Sequence, residues 1–220
     1  RLRSVTIGDS VTSIRYRTFY NCYNLTSVII PDSVTSIGED AFSGCKRLKS
    51  VTIPDSVTSI GSGAFYYCES LTSVTIGDSV TSIGLQVFMY CKSLTSVIIP
   101  DSVTSIRFRA FADCSNLKNV TFEGNAPTLH GWQNIGSLVF EYTHRAAKVY
   151  VKANATGFDS TFGGLPVVRE DSITTASKGN TSDGPIMDAL VFFDVNLNGL
   201  PDEGEPQTTS NSWGDYWLDI

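Results

Sequence analysis

The chain has 220 residues, of which 41% are hydrophobic and 17% are charged, and its formal net charge is −6 at pH 7. This composition is typical of a globular protein with a sizeable core, and it excludes a disordered chain. No apolar run reaches the roughly 18 residues that a membrane-spanning helix needs, so no membrane span is predicted. No Lys or Arg follows Asp183, although acidic residues do. This acidic end disfavours nucleic acid and favours a cation as a partner.

A 23-residue repeat occupies the first part of the chain. The unit is L-x-x-V-x-I-[PG]-D-S-V-T-S-I-x-x-x-x-F-x-x-C-x-x, with five full copies and a sixth that decays after LKNVTFEGNAPTL. Columns of identical apolar residues are typical of a solenoid, in which each coil buries its inward side chains against its neighbours. One cysteine occupies the same position in each of the five full copies, at 23-residue spacing: Cys22, Cys45, Cys68, Cys91 and Cys114.

Each unit predicts a strand, a turn, a second strand and a helical turn, in that order. Val and Ile at positions 4 and 6 alternate with outward Ser and Thr, which is the period of a half-buried strand. Pro or Gly before Asp-Ser indicates a turn, and V-T-S-I indicates a second short strand. The F-x-x-C spacing places Phe and Cys on one face of a helical turn. We therefore predict a repeat solenoid over residues 1–129, mostly β, with short parallel strands and some α or 3₁₀ turns.

The five cysteines have three possible interpretations. Free thiols in the core are favoured, because cysteine is a small and frequently buried residue and each copy occupies the same place in its coil. Stacked coils would bring successive sulfurs to about 5 Å, so disulfides are geometrically possible, but the odd count and identical environments disfavour them. A zinc site needs close ligand pairs at C-x-x-C-like spacing, and the chain has no such pair.

The unit LTSVTIPDSVTSIG, followed by A-F-x-x-C, resembles the BspA-type leucine-rich repeat of bacterial surface proteins and of some parasitic protists. The resemblance covers residues 1–129 and is specific at the Leu, Val, Ile-Pro, Ala-Phe and Cys positions. It implies a leucine-rich repeat solenoid in a secreted or cell-surface protein that binds proteins or promotes adhesion, without catalysis. The minor departures from the family pattern are Gly8, Arg15, Thr18, Gly77, Val87 and Arg107.

Outward polar residues form regular ladders along the predicted solenoid. Flat threonine ladders are typical of ice-binding solenoids, but Ser and Thr also favour exposed strands by propensity, and we favour this second explanation. A column of aspartates from Asp9 to Asp101 is likewise better explained by the Asp-Ser turn than by a bound cation. The threonines of the second strand are Thr12, Thr35, Thr58, Thr81 and Thr104.

The residues that differ between copies lie around the F-x-x-C turns, and many of them are Tyr or Arg. Both types are enriched at the hot spots of protein interfaces. The alternative is that they cover neighbouring turns, with arginine stems lying over the rings. Met89 and Phe108 belong to the same variable set. The candidate partner-binding residues are Tyr20, Tyr23, Tyr66, Tyr67, Tyr90, Arg107 and Arg109.

Residues 130–169 lose the 23-residue period and are predicted to cap the solenoid. The segment AKVYV keeps the alternation of a strand, and Gly-rich turns follow it, so we expect it to continue the sheet and cover the last coil. His130 and His144 have no acid or thiol at a triad-like spacing, and we expect structural or surface roles for them. Residues 170–184, rich in Ser, Thr and Gly, are predicted to be a linker.

Residues 185–220 predict a truncated β module or appendage with an EF-hand-like loop. The stretch DVNLNGLPDEGE matches the calcium-loop pattern D-x-[DN]-x-[DN]-G-x5-E. Oxygen ligands on alternate residues can surround Ca²⁺, and Gly199 permits the sharp turn. The alternative is an acidic, solvated turn that fits the pattern by chance. The predicted ligands are Asp194, Asn196, Asn198, Leu200 through its carbonyl, Asp202 and Glu205.

The same segment resembles the opening of the calcium-binding B-type modules of bacterial serine-aspartate adhesins, whose pattern is VFxDxNxNGxxDxGE followed by GxYxL. The resemblance implies a joint that is stiffened by calcium. Ca²⁺ is the one cofactor that the sequence predicts.

The sequence as a whole favours a non-enzymatic adhesion or protein-interaction module, secreted or at the cell surface, with an extracellular or surface protein or glycan as its partner. The alternatives are a structural spacer in a large surface protein, which the near-identical coils favour, and an ice- or glycan-binding solenoid. An enzyme is disfavoured, because the motifs do not supply a nucleophile, a base and oxyanion donors. Since the chain starts at Arg1 within a repeat, we expect it to be a piece of a longer protein.

Overall fold

The computed structural model describes residues 2–131 and 137–170, together with the backbone of residues 190–192 and 207–209. The chain divides into two compact units, Arg1–Arg169 and Glu170–Ile220, and each is described by itself. In the first unit the repeats stack as successive coils, which confirms the predicted solenoid of parallel strands.

One side of the solenoid is formed by the first strand of each coil. Where neighbouring strands pair, they pair in parallel. Ser4 lies opposite Ser27 and Asn119 opposite Ser96, at the 23-residue offset of the sequence, and Lys148 lies opposite Asn119 at a longer offset. Inward Val51 is buried and its neighbour Thr52 is exposed, as period-two alternation requires. These strands are β1 (Ser4–Thr6), β3 (Ser27–Ile29), β5 (Ser50–Thr52), β7 (Ser73–Thr75), β9 (Ser96–Ile99), β11 (Asn119–Phe122) and β13 (Lys148–Lys152).

A second side is a six-stranded sheet made of the five V-T-S-I segments and, in the sixth coil, of Thr128–Leu129. Its strands follow one another in coil order, and the buried isoleucines stack in register, for example Ile60 against Ile83. The turn between the two strands of a coil is closed by a backbone hydrogen bond, such as that from Val57 N to Pro54 O at 3.0 Å. The strands are β2 (Ser13–Ile14), β4 (Ser36–Ile37), β6 (Ser59–Ile60), β8 (Ser82–Ile83), β10 (Ser105–Ile106) and β12 (Thr128–Leu129).

The third side is a run of tight turns instead of the predicted helical turn, and residues 2–131 and 137–170 contain no helix. In the third coil Gly63 and Tyr67 both have left-handed backbones, with φ of 62° and 59°. Two left-handed residues four positions apart interrupt any right-handed helix, because each one reverses the sign of φ. The equivalent left-handed residues of the other coils are Arg17, Asn21, Asp40, Gly44, Gln86, Tyr90, Arg109 and Asp113.

Backbone hydrogen bonds explain why turns replace a helix on this side. The N–H of Phe65 donates to the carbonyl of Val87 in the next coil at 2.9 Å, whereas the N–H of Tyr66 donates to Gly63 of its own turn at 2.9 Å. Alternate N–H groups therefore link neighbouring coils, while an α-helix would close all its hydrogen bonds within one coil. The prediction of a helical turn was wrong because F-x-x-C spacing is compatible with either arrangement.

The interior consists of columns of identical apolar side chains. The rings of Phe42 and Phe65 stack with centroids 5.2 Å apart, and this stack of phenylalanines extends from Phe19 to Phe140. Each such ring pair adds about 0.5–1.5 kcal/mol beyond its area burial. The leucine column is fully buried from the second coil onward, at Leu25, Leu48, Leu71, Leu94 and Leu117.

The cysteines are free thiols of the core, as predicted. Four of them are buried, and Cys22 of the first coil is half-buried. Each buried thiol donates to the phenylalanine carbonyl of the coil before it, at 3.1–3.4 Å. The interior therefore accommodates the column of cysteines without disulfides.

The described residues of a sixth coil continue the stack, although their sequence departs from the repeat. Phe140 stacks on Phe111 at 5.7 Å, and the N–H of Phe111 donates to the carbonyl of Val139. Residues 139–143, V-F-E-Y-T, thus occupy the place of A-F-x-x-C. The predicted boundary at residue 129 lies inside this coil.

The end of the solenoid is covered by residues 148–170. Strand β13 pairs with β11, and the sheet ends in the antiparallel pair of β14 (Thr161–Phe162) and β15 (Leu165–Glu170). Phe158 and Phe162 pack against Phe122, each with ring centroids 5.3 Å away. These aromatic contacts bury the apolar side of the sixth coil, where the repeat would otherwise continue.

The described part of the second unit is a two-stranded antiparallel pair. Strand β16 (Leu190–Phe192) pairs with β17 (Gln207–Thr209), and Phe192 lies opposite Gln207. The predicted linker over residues 170–184 begins at the last residue of β15, whereas residues 171–184 and all six predicted calcium ligands lie outside the described residues.

Candidate protein-binding face

The residues that differ between coils lie on the side formed by the tight turns. We call this side, residues 15–23 and their 23-residue equivalents, the turn face. Tyr66 and Tyr67 stand on it between the buried side chains of Phe65 and Cys68, and both are half-buried. The left-handed conformation at Tyr67 is fixed by the turn hydrogen bonds described above, so the side chain is presented by a constrained backbone.

Three tyrosines converge on the turn face of the third and fourth coils. The rings of Tyr67 and Tyr90 stack with centroids 4.4 Å apart. Tyr66 meets both rings edge-on, at 4.8 Å and 5.7 Å. We call Tyr66, Tyr67 and Tyr90 the tyrosine cluster. Its members hold one another in place, which reduces the rotamer entropy that binding a partner would remove.

Charged groups surround the tyrosine cluster. The Lys46 ammonium lies 5.6 Å from the centroid of Tyr67 and forms an ion pair with Glu69 at 3.0 Å. The Lys92 ammonium lies 6.0 Å from the centroid of Tyr90. The carboxylate of Asp113 raises the pKa of the Tyr90 phenol, and partial burial raises the pKa of the Tyr66 phenol. The phenols of Tyr66 and Tyr90 are therefore neutral hydrogen-bonding groups at physiological pH.

The first coil has a separate aromatic and cationic group. The Arg17 guanidinium lies over the rings of Tyr16 and Tyr20, at 4.8 Å and 4.6 Å, and pairs with Asp40 at 2.9 Å. Tyr20 remains exposed. The arginine stem thus covers tyrosine rings, as the packing alternative predicted, and also leaves part of the ring surface accessible.

The other candidate residues are not part of the tyrosine cluster. Tyr23 is 51% exposed on the first coil, and Arg107 is exposed on the fifth. Arg109 forms an ion pair with Glu141 of the sixth coil at 2.7 Å, so its charge is compensated within the solenoid. Met89 and Phe108 are buried and do not belong to the accessible surface.

Sequence reasoning missed Tyr142, which is 69% exposed and left-handed, with φ of 54°. It occupies the same position in the sixth coil as Tyr67 and Tyr90 do in theirs. The signal was present in F-E-Y-T, an F-x-x-T variant of F-x-x-C. Thr143 replaces the cysteine, and its hydroxyl donates to the carbonyl of Phe140 at 3.0 Å.

The threonine ladder of the second strands uses its hydroxyl protons within the solenoid. Thr35 donates to the carbonyl of Thr12 at 3.2 Å, and Thr104 donates to that of Thr81 at 3.3 Å. The serines of the same sheet also bond between coils, as Ser105 does to Ser82 at 2.8 Å. These contacts stabilise coil stacking, a structural role that is additional to the strand propensity by which we explained the ladder.

One histidine and one aspartate of the column accept hydrogen bonds from nearby backbone N–H groups. The Nδ1 atom of His144 accepts the N–H of Ala146 at 3.1 Å, and His130 is exposed. In the aspartate column, the Oδ1 atom of Asp55 accepts the N–H of Asp78 at 3.0 Å. No three His, Cys, Asp or Glu side chains of the described residues are grouped so that they could hold a metal ion.

Burial removes nucleophilic character from the thiols. It raises the pKa of Cys45 and of Cys114 to about 12, and raises the pKa of Cys68 and Cys91 well above the usual value. A protonated, enclosed thiol is a poor nucleophile.

Among the described residues, no helix is both long and apolar enough to cross a membrane.

Solved structures of leucine-rich repeat proteins resemble this chain. The leucine-rich repeat protein TpLRR of T. pallidum is 29% identical over 70% of this chain and 75% of its own, with a TM-score of 0.56. A leucine-rich repeat protein from Eubacterium ventriosum is 25% identical over 73% of this chain and 46% of its own, with a TM-score of 0.55. A leucine-rich cell surface protein from Faecalibacterium prausnitzii is 23% identical over 75% and 62%, with a TM-score of 0.41. No curated protein matches the chain.

The family model of the BspA-type leucine-rich repeat region matches six copies, over residues 1–118 and 43–162. The matched range includes the sixth coil and reaches β14, in agreement with the continuous stack of phenylalanines from Phe19 to Phe140. The chain belongs to the BspA-type leucine-rich repeat family.

Proposed function

We propose that this chain is a non-enzymatic protein-interaction module, displayed outside the cell or at its surface, and that it binds an extracellular or surface protein through the turn face. The family supports a role in protein interaction. Buried, protonated thiols and hydroxyls engaged between coils offer no catalytic group among the described residues, which fits a binding function.

The tyrosine cluster is the observation that supports the proposal most strongly. Tyrosine is enriched at interface hot spots, because it combines a large apolar ring with a polar hydroxyl and has only two side-chain torsions to order. Tyr67 and Tyr90 are stacked at 4.4 Å on constrained backbones, so little order is lost when a partner binds. Lys46 and Lys92 border the cluster and provide the polar rim of a typical interface.

The opposing surfaces of the solenoid are weaker candidates. The second-strand sheet presents hydroxyls that already donate within the stack. The first-strand sheet has only isolated exposed hydrophobic residues, Ile29 and Ile98, separated by coils that carry threonine. Isolated surface hydrophobic residues are normal and indicate no binding site.

Capture of partners from extracellular matrix and envelope fractions tests the proposal. The wild-type chain is compared with Tyr67→Ala/Tyr90→Ala and with the control Thr52→Ala/Thr75→Ala, which changes two exposed residues of adjacent coils on another side. The proposal predicts proteins retained by the wild type and the threonine control and lost by the tyrosine variant. No specific retention by the wild type would favour the spacer alternative.

We also propose that the second unit binds calcium through residues 194–205. The register of β16 and β17 supports this proposal, because Phe192 lies opposite Gln207 and the whole motif falls between these two paired residues. Strand pairing thus brings the two flanks of the motif side by side. A calcium loop needs such proximity, since ligands at its first and last positions share one ion.

A further inference from the structure

A cavity of about 490 Å³ opens at the corner between the fifth coil and the cap, away from the turn face. It lies where the Pro-Asp-Ser turn of the repeat gives way to a different sequence in the sixth coil. Its size falls within the range of about 300–1,000 Å³ that is typical of small-ligand sites. Its lining residues are Asp101, Val103, Thr104, Glu123, Gly124, Asn125, Ala126, Lys152, Asn154 and Ala155.

The shape of the cavity depends on a substitution in the aspartate column. Gly124 occupies the place of the repeat aspartate, and a Cβ atom there would lie 2.7 Å from the Cα atom of Asp101. The loop of the sixth coil can therefore approach the fifth coil more closely than an aspartate would allow. This approach sets Glu123 and Asn125 beside Asp101 around one volume.

The cavity walls are held by hydrogen bonds. The Oδ1 atom of Asn125 accepts the N–H of Thr156 at 2.8 Å and so joins the two loops that face each other. The Arg169 guanidinium donates to the carbonyls of Ala153, Ala155 and Phe158, at 3.3, 2.8 and 2.9 Å. Arg169 therefore holds the loop that carries Asn154 in place, and the cavity is preformed.

The lining combines unpaired charges with carboxamides. Asp101, Glu123 and Lys152 border the same space, yet none of them forms an ion pair within the part of the chain that the structure describes. The Nδ2 group of Asn125 remains available as a donor, because its bond to Thr156 uses the amide oxygen. An apolar ligand is disfavoured here, since it would desolvate these groups without compensation.

We propose that this corner cavity binds a saccharide unit. Sugar hydroxyls can donate to the carboxylates of Asp101 and Glu123 and can accept from Lys152 and the carboxamides. Three small apolar residues, Val103, Ala126 and Ala155, offer contact area for the C–H groups of a sugar ring. Two carboxylates against one ammonium repel phosphate and other anions. This site is independent of protein binding at the turn face.

A glycan array, followed by calorimetry with the strongest array component, tests the proposal. The cavity variant is Glu123→Ala/Asn154→Ala, which changes two exposed side chains and leaves the loop-fixing Asn125 and Arg169 intact. The control is Glu39→Ala/Asn119→Ala, which changes the same residue types at exposed positions elsewhere. Equal thermal unfolding midpoints for the three proteins verify that folding is preserved.

The proposal predicts that the wild type and the control bind the same glycan and that the cavity variant binds it at least tenfold more weakly. The variant Tyr67→Ala/Tyr90→Ala should bind the glycan like the wild type, because its changes lie on the turn face. Absence of any bound glycan on the array would overturn the proposal. Equal glycan affinity of the wild type and the cavity variant would overturn it as well.

Discussion

The Sγ atom of Cys68 lies 3.4 Å from the carbonyl oxygen of Phe42 in the preceding coil and donates its proton there. The same carbonyl accepts the N–H of Cys45 at 3.1 Å, so it accepts one hydrogen bond from its own coil and one from the next coil. The repeat spacing thus brings each thiol to a carbonyl that would otherwise have one partner. A buried, hydrogen-bonded and protonated thiol is therefore part of the packing of the core.

Thiol titration should distinguish Cys22 from the other four cysteines. Cys22 is half-buried, whereas the others are enclosed, and only accessible thiolates react quickly. We expect all five thiols to react after denaturation without reductant, and Cys22 to be the first to react in the native protein. Finding two or fewer thiols in the denatured, unreduced chain would mean that the column is disulfide-bonded.

Alkaline pH should destabilise the wild type more than Cys68→Ala. Burial raises the pKa of Cys68 in the folded state, so from about pH 8.5 upward the unfolded chain loses this proton first and folding stability falls. The loss is about 1.4 kcal/mol per pH unit for each such thiol. Urea unfolding at about pH 7 and about pH 10 should therefore show the wild type losing about 2 kcal/mol more than the variant. Equal losses in both proteins would contradict the burial of this thiol in neutral form.

Gly61→Ala should destabilise the solenoid, and Gly8→Ala should not. A Cβ atom at Gly61 would clash with the backbone nitrogen of Glu39 in the preceding coil, whereas one at Gly8 would meet nothing within 4 Å. Forcing the coils apart should cost about 1–3 kcal/mol, the usual range for overpacking. Urea unfolding of the two variants measures the difference. Similar free energies of unfolding for the two variants would contradict the close approach of Gly61 to the backbone of Glu39.

Calorimetry with calcium tests the loop of the second unit. Two neutral asparagine ligands lower the charge of the predicted site, so we expect a Kd on the order of 10⁻⁴ M, in the range of extracellular sites. Glu205→Gln should remove most of the binding, because it replaces the carboxylate that closes the loop. The matched control Glu170→Gln changes an acid outside the motif and should bind as the wild type does. Absence of heat in wild type and variant alike would reject the calcium site.

Much of the solenoid was predictable from the sequence because identical residues recur at one spacing. Val97 and Val120, for example, can occupy equivalent buried places only if their strands pair in register. The turn side was less predictable, since the left-handed backbones of Arg17 and Tyr67 have no glycine to mark them. Hydrogen bonds between coils, invisible in a single repeat, select turns over a helix there.

The candidate site was predictable in its residue types and less so in its geometry. Tyr67 and Tyr90 are one repeat apart, so their proximity follows from stacking. Burial of Met89 and Phe108 depends on neighbouring side chains, and the ion pair of Arg109 depends on the sixth coil. The sixth coil was difficult to recognise from the sequence because Thr143 replaces the cysteine of the repeat.

The most direct test of the account is the affinity of a captured partner for Tyr67→Ala/Tyr90→Ala relative to the wild type and to Thr52→Ala/Thr75→Ala. Removing two stacked hot-spot rings should weaken binding by about 2 kcal/mol, or roughly 30-fold in Kd, with no change for the threonine control. Unchanged affinity of the tyrosine variant, together with weaker binding by the threonine control, would contradict the turn face and place the partner on the first-strand sheet.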